Sequence, residues 1–221
     1  MFFHVYLLQD MEEFDTYLFD FDGTLVDSHD SLVLVFKGAY SKVEIDVDEK
    51  WVLRLMRIPL FQGYEELNAP DDEESRKIFG NEIIRLLDDP EVLKATKTYS
   101  DVREVLKELY SRGKKLGIVT SNNAKHVREV LDFINLDKNM FSVIVGNQET
   151  KLHKPHPDPI LKGLEILNES KERACYVGDG LDDMRSAVNA DVTPILVDRR
   201  DEYNKEHSEL IIKDLRGLLE Y

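Results

Sequence analysis

The stretch Thr16-Tyr17-Leu18-Phe19-Asp20-Phe21-Asp22-Gly23-Thr24 decides how the rest of the chain is read. Aromatic, β-branched and apolar residues run from 16 to 21 and stop at a glycine, the pattern of a short buried strand. Asp20 and Asp22 stand two residues apart, so they face the same way as the chain leaves the sheet. Outward from this stretch, residues 28–42 read as a helix capped by Asp27 or Ser28, with Leu32, Val35, Phe36 and Ala39 at helical spacing. Further helical patterns cover 48–57 (ahead of Pro59), 60–67 and 71–87, the last opening on four acidic residues suited to a helix N-terminus. No strand pattern occurs between 28 and 95, which makes this block all-helical.

From residue 101 the pattern alternates. Helices at 101–112, 125–133, 158–167 and 182–190 alternate with strands at 115–119, 141–145, 174–177 and 194–197. Gly113 ends the first of these helices. Strands alternating with helices predict βαβ units, hence an α/β fold with a mostly parallel sheet covered on both faces. Ligands in such folds sit at the carboxyl ends of the strands.

Composition narrows the function. The 221 residues carry 44 acidic against 29 basic side chains, a net charge of −15, and 42% are hydrophobic. That suits one domain of ordinary size, or a core with a smaller one inserted. A pI near 4.8 argues against nucleic acid or an anionic membrane as partner. Cys175 is the sole cysteine, so there is no internal disulfide and no sign of an oxidising compartment. Residues 1–8 are apolar, but they fall short of the ~20 a membrane span needs, and Asp10, Glu12, Glu13 and Asp15 follow. The expectation is a soluble, cytoplasmic protein, monomeric by default, with Met1 and Met11 both open as the natural start.

The loops after the strands are Asp20-Phe21-Asp22-Gly23-Thr24, Thr120-Ser121-Asn122-Asn123 and Gly178-Asp179-Gly180-Leu181-Asp182-Asp183, with His153-Lys154-Pro155-His156-Pro157 ahead of a helix. Four loops at one sheet edge thus supply several carboxylates, one ammonium and small hydroxyls. Without a cation each like-charge pair at ~4 Å repels by roughly 4 kcal/mol at an effective dielectric of 20. An all-oxygen set suits a hard divalent ion, and Mg²⁺ is the usual choice where the partner is a phosphate. Lys154 and Thr120 (or Ser121 in its place) suit the remaining charge of a phosphoryl group, which the side-chain-free Gly23 lets approach closely. Such a set supports covalent phosphoryl transfer. One carboxylate attacks phosphorus, and the other protonates the leaving alcohol and then activates water.

These motifs, in this order and spacing, resemble the haloacid dehalogenase superfamily from Thr16 onward. The helical block resembles the small cap of its phosphoglycolate phosphatase-like branch. The resemblance implies a Rossmann-like core formed by residues 1–27 and 97–221, with a helical cap at 28–96 that closes over the site. It implies Asp20 as nucleophile and Asp22 as general acid/base. Gly23, Thr120, Ser121, Asn122 and Lys154 are the phosphate-binding candidates, and Asp20, Asp22, Asp179 and Asp183 the Mg²⁺ set, with Asp22 contributing its backbone carbonyl. Asp183 is favoured over Asp182 because it stands four residues after Asp179. Relatives often carry an Asp pair where this chain reads Gln148-Glu149, which makes Glu149 the candidate for that acid. Dehalogenase members typically lack the second aspartate, so Asp22 favours phosphate-ester chemistry on a small phosphorylated metabolite. A phosphomutase and a non-catalytic phosphate-binding regulator remain the alternatives. Arg54 and Arg57, at near-helical spacing with Lys50, are candidates for the substrate's non-phosphate end. His153 and His156 read as polar loop residues, and Cys175 as a small core residue.

Overall fold

The computed structural model describes residues 14–55, 60–204, 207, 208 and 210–220; Met1, Met11 and Arg57 lie outside the described residues. Contacts divide the chain into two compact units, one formed by the segment up to Leu25 with Thr98–Tyr221, the other by Val26–Lys97. In chain order the elements are β1 (Thr16–Phe19), β2 (Val26–Asp27), α1 (His29–Ser41), α2 (Glu49–Leu55), α3 (Leu60–Glu66), α4 (Glu73–Leu87), α5 (Pro90–Ala95) and β3 (Lys97–Thr98). Then follow α6 (Val102–Ser111), β4 (Lys115–Val119), α7 (Ala124–Phe133), β5 (Phe141–Val145), α8 (Asp158–Leu167), β6 (Ala174–Gly178), α9 (Leu181–Asn189), β7 (Thr193–Val197) and β8 (Ile211–Ile212).

The first unit is an α/β fold around a six-stranded sheet in the order β5-β4-β1-β6-β7-β8. Its strand pairs are all parallel. All four residues of β1 are buried, and it pairs with β4 from Thr16↔Lys115 to Phe19↔Ile118 and with β6 from Thr16↔Ala174 to Phe19↔Val177. The chain runs outward from β1 in both directions across the sheet, so the carboxyl end of β1 is the switch point where such folds hold ligands. One buried cluster joins Leu18, Val119, Val145 and Tyr176 of the strands to Ile160 and Leu164 of α8 and Ala187 of α9.

The second unit is helical, with β2 and β3 forming a separate two-stranded sheet. Its core gathers Phe36, Tyr40, Val52, Leu55, Tyr64 and Phe79. The rings of Tyr40 and Tyr64 lie 4.7 and 4.8 Å from that of Phe79. Helix α4 starts at Glu73, two residues later than the acidic run suggests, because the Asp72 carboxylate caps it, accepting the Ser75 amide at 2.8 Å. Four short elements have no counterpart in the sequence reading, strands β2 and β3 among them. Helix α5 is a six-residue turn with Pro90 at its start and Asp89 as its cap. Strand β8 is two residues long and pairs with Leu196 and Val197.

Candidate active site

The site is built where β1, β4 and β6 end. Asp20 directly follows β1, and its amide donates to the Val177 carbonyl of β6 at 2.8 Å, which fixes it as an extension of the sheet. The chain then turns, closed by the Leu25 amide on the Phe21 carbonyl at 2.9 Å. Gly23 sits in that turn at φ +81°, and a Cβ there would stand 2.2 Å from Asp179 Oδ2. Only glycine meets both demands.

Thr120 follows β4, with its amide on the Val145 carbonyl at 2.9 Å. Its hydroxyl accepts the Asn122 amide at 3.0 Å, and Asn122 Nδ2 donates to Asp22 Oδ2 at 3.2 Å. Ser121 is exposed. Asp179 follows β6. Asp183 lies in the first turn of α9, where its Oδ2 accepts the Gly180 amide at 3.0 Å. Asp182 pairs with Arg185 at 3.3 Å, its side chain turned toward solvent.

Lys154 ties these loops together. Its Nζ donates to Asp20 Oδ1 and Asp183 Oδ1, each at 2.6 Å, with all three side chains 7–8% exposed. It also donates to the Tyr176 hydroxyl at 3.2 Å, which itself donates to the Val119 carbonyl at 2.7 Å. Sequence reasoning missed Tyr176. A tyrosine inside a buried strand reads as core, and its only signal is its place two residues before the Gly178-Asp179 loop.

The charges do not balance. Burial raises the Asp20 carboxyl well above its usual range, with Asp183 and Asp179 adding to Lys154's insufficient relief. Burial, then Asp183, pushes the Asp179 carboxyl up to about 7. Burial opposes the charge on Lys154, but Asp183 and Asp20 outweigh it and hold the ammonium well above its ordinary value. Asp20, Asp179 and Asp183 each offer a carboxylate oxygen, all within 4.8 Å of one another. Three acids facing one ammonium fit a hard divalent cation, which would offset both the burial and the mutual repulsion that raise Asp20 and Asp179.

The Asp22 carboxylate stands outside that trio, on Asn122. Glu149 is exposed and accepts the Gly146 amide at 2.8 Å, bracing the loop after β5. In the helical unit Arg54 pairs with Glu66 at 2.7 Å, and its guanidinium lies 5.9 Å from the Trp51 ring. Cys175 is buried. His153 and His156 are exposed, the latter beside Asp158 at 3.1 Å. Among the described residues no helix is long and apolar enough to cross a membrane.

Known proteins resemble this chain in sequence and in fold. The phosphoglycolate phosphatase of Aquifex aeolicus is 32% identical, the match covering 78% of this chain and 79% of that one. The pyrophosphatase PpaX of Listeria monocytogenes is 28% identical over 80% and 79% of the two chains. The solved structure of a predicted phosphatase from Clostridium acetobutylicum has the same fold, with a TM-score of 0.81 at 24% identity over 95% of this chain and all of that one. The family described as haloacid dehalogenase-like hydrolases matches residues 17–197, from within β1 to the last residue of β7, and the chain belongs to that family.

Proposed function

We propose that this hydrolase is a Mg²⁺-dependent phosphatase of a small phosphorylated metabolite, acting through an aspartyl-phosphate on Asp20. The observation that carries the reading is Lys154 Nζ at 2.6 Å from both Asp20 and Asp183 in a buried setting. That contact fixes the rotamer of the attacking carboxylate and leaves an ammonium beside the place a phosphoryl group must occupy.

An Asp20 oxygen forms a bond to phosphorus as the bond to the leaving oxygen breaks, and the Asp22 proton passes to that oxygen. Asp22, now a carboxylate, takes a proton from water, whose oxygen attacks phosphorus and frees Asp20 and inorganic phosphate. Lys154, the Thr120 hydroxyl and the backbone around Gly23 and Ser121-Asn122 stabilise charge on the equatorial oxygens. Asp20, Asp179 and Asp183, with the Asp22 carbonyl, would hold a Mg²⁺, which would supply positive charge between the phosphoryl group and the carboxylates. The names of the Aquifex and Listeria relatives point to small anionic substrates, phosphoglycolate or pyrophosphate. The single, buried Cys175 suits a reducing cytoplasm.

Phosphate release from phosphoglycolate, pyrophosphate, sugar phosphates and nucleoside monophosphates, with and without Mg²⁺, tests the proposal beside Asp20→Asn. Release is expected to require both the metal and Asp20. Release that persists in Asp20→Asn, or none from any ester by folded protein, overturns it.

A further inference from the structure

The turn that carries Asp22 is anchored at both ends, and the second anchor is a side chain far away in sequence. At the near end, the sheet holds Asp20 through the Val177 carbonyl. At the far end, Arg199 Nη2 donates to the Thr24 carbonyl at 2.8 Å. The same guanidinium forms a fork on Asp101, with Nη1 on Oδ1 at 3.0 Å and Nη2 on Oδ2 at 3.1 Å. Its Cζ lies 3.8 Å from the centre of the Tyr99 ring. Asp101 is fixed in turn, because its Oδ2 also accepts the Leu215 amide at 2.7 Å. The Asp101 side chain is 2% exposed and that of Arg199 12%. A planar donor fork, stacked on one face and paired along one edge, has one orientation.

This bond falls at a consequential point. Between the anchors lie Asp22, Gly23 at φ +81° and Thr24. The Asp22 side chain is held by Asn122 at 3.2 Å, a long bond that does little to orient it alone. The path of the backbone therefore sets where the Asp22 carboxyl stands. We infer that Arg199 is a positioning residue for Asp22: by holding the Thr24 carbonyl it keeps the turn in the conformation that aims Asp22 at the leaving oxygen. The inference rests on the reading of Asp22 as the acid that protonates that oxygen.

Leaving-group dependence separates positioning from general support of the fold. A nitrophenolate departs without a proton, whereas an alkoxide does not. Loss of a well-placed acid therefore slows alkyl phosphates far more than p-nitrophenyl phosphate, and kcat/KM reports the step in which the leaving group departs. The experiment measures kcat/KM for the best alkyl phosphate and for p-nitrophenyl phosphate in wild type, Asp22→Asn, Arg199→Ala and Arg199→Lys. Asp22→Asn is expected to lower the alkyl-to-aryl ratio most. Arg199→Ala is expected to lower it about tenfold, and Arg199→Lys, which keeps the charge but not the fork, by less.

Equal losses for both esters in folded Arg199→Ala, or no loss, overturn the inference while leaving the phosphatase reading intact. An unchanged ratio in Asp22→Asn removes the acid role itself and the inference with it. Should Arg199→Ala fail to fold, Arg199→Lys and Arg199→Gln, which lose the fork that aims Nη2 at the Thr24 carbonyl, decide by the same ratio: a lowered alkyl-to-aryl ratio supports the inference and a wild-type ratio overturns it.

Discussion

Asp179 carries the clearest electrostatic signature in the site. Burial first, then Asp183, raises its carboxyl from 3.8 to about 7. A carboxyl whose folded value exceeds its unfolded one holds its proton more tightly when folded, so stability is full below about pH 4 and falls as pH rises toward 7. Metal-free protein should therefore lose melting temperature between pH 4 and 7. Asp179→Asn should flatten that slope, and Mg²⁺ should flatten it in the wild type by supplying the missing charge. A metal-free Asp179→Asn protein with the wild-type slope would refute the assignment. The residues that stand together here were legible where chemistry and position coincide, since Asp20, Thr120 and Asp179 each follow an apolar strand. Tyr176 was not legible, because nothing in a strand's own letters says that a buried hydroxyl lies beside an ammonium. Nor was the pairing of Asp101 with Arg199, for Asp101 reads locally as the start of a helix and its partner lies beyond β7.

Loop conformation is set by backbone contacts between elements, and the loop after β5 illustrates this. A Cβ on Gly146 would lie 2.5 Å from the Ala124 amide nitrogen and 2.7 Å from the Asn122 carbonyl oxygen. Both are backbone atoms, so neither can move aside without shifting the Thr120–Asn122 loop and the start of α7. The Asn147 amide also donates to that Asn122 carbonyl, at 2.9 Å. Gly146→Ala should shift the Thr120–Asn122 backbone proposed to face the phosphoryl group, lowering both the melting temperature and kcat. At Gly80, inside α4, an added Cβ would meet nothing within 4 Å. Gly80→Ala should stabilise the protein by about 0.5–1 kcal/mol through helix propensity alone. Thermal melts and steady-state rates check the pair, and a Gly146→Ala enzyme with wild-type kcat would show that the loop is free to move. Elements with a strong period were legible by the same physics. Strand β8 and helix α5 were not, because two and six residues are too short to display one.

At the scale of the whole molecule, the two units have separate cores. The aliphatic cluster beneath the sheet and the aromatic cluster of Tyr40, Tyr64 and Phe79 draw on different stretches of chain. Asp20, Asp179, Asp183 and Lys154 all belong to the unit that contains the sheet. A ligand that binds only the folded form of that unit stabilises it by mass action. Calorimetry should therefore resolve two transitions, of which Mg²⁺ raises only the one belonging to the sheet unit. Phe79→Ala should lower only the other. Truncating a fully buried ring typically costs about 3–5 kcal/mol, a large part of the roughly 5–15 kcal/mol that holds an ordinary domain together. The sheet unit of Phe79→Ala should accordingly still melt at its usual temperature and still respond to Mg²⁺. A single transition moved by both perturbations would mean that the molecule unfolds as one cooperative body, and that damage to the helical core reaches the carboxylates through it.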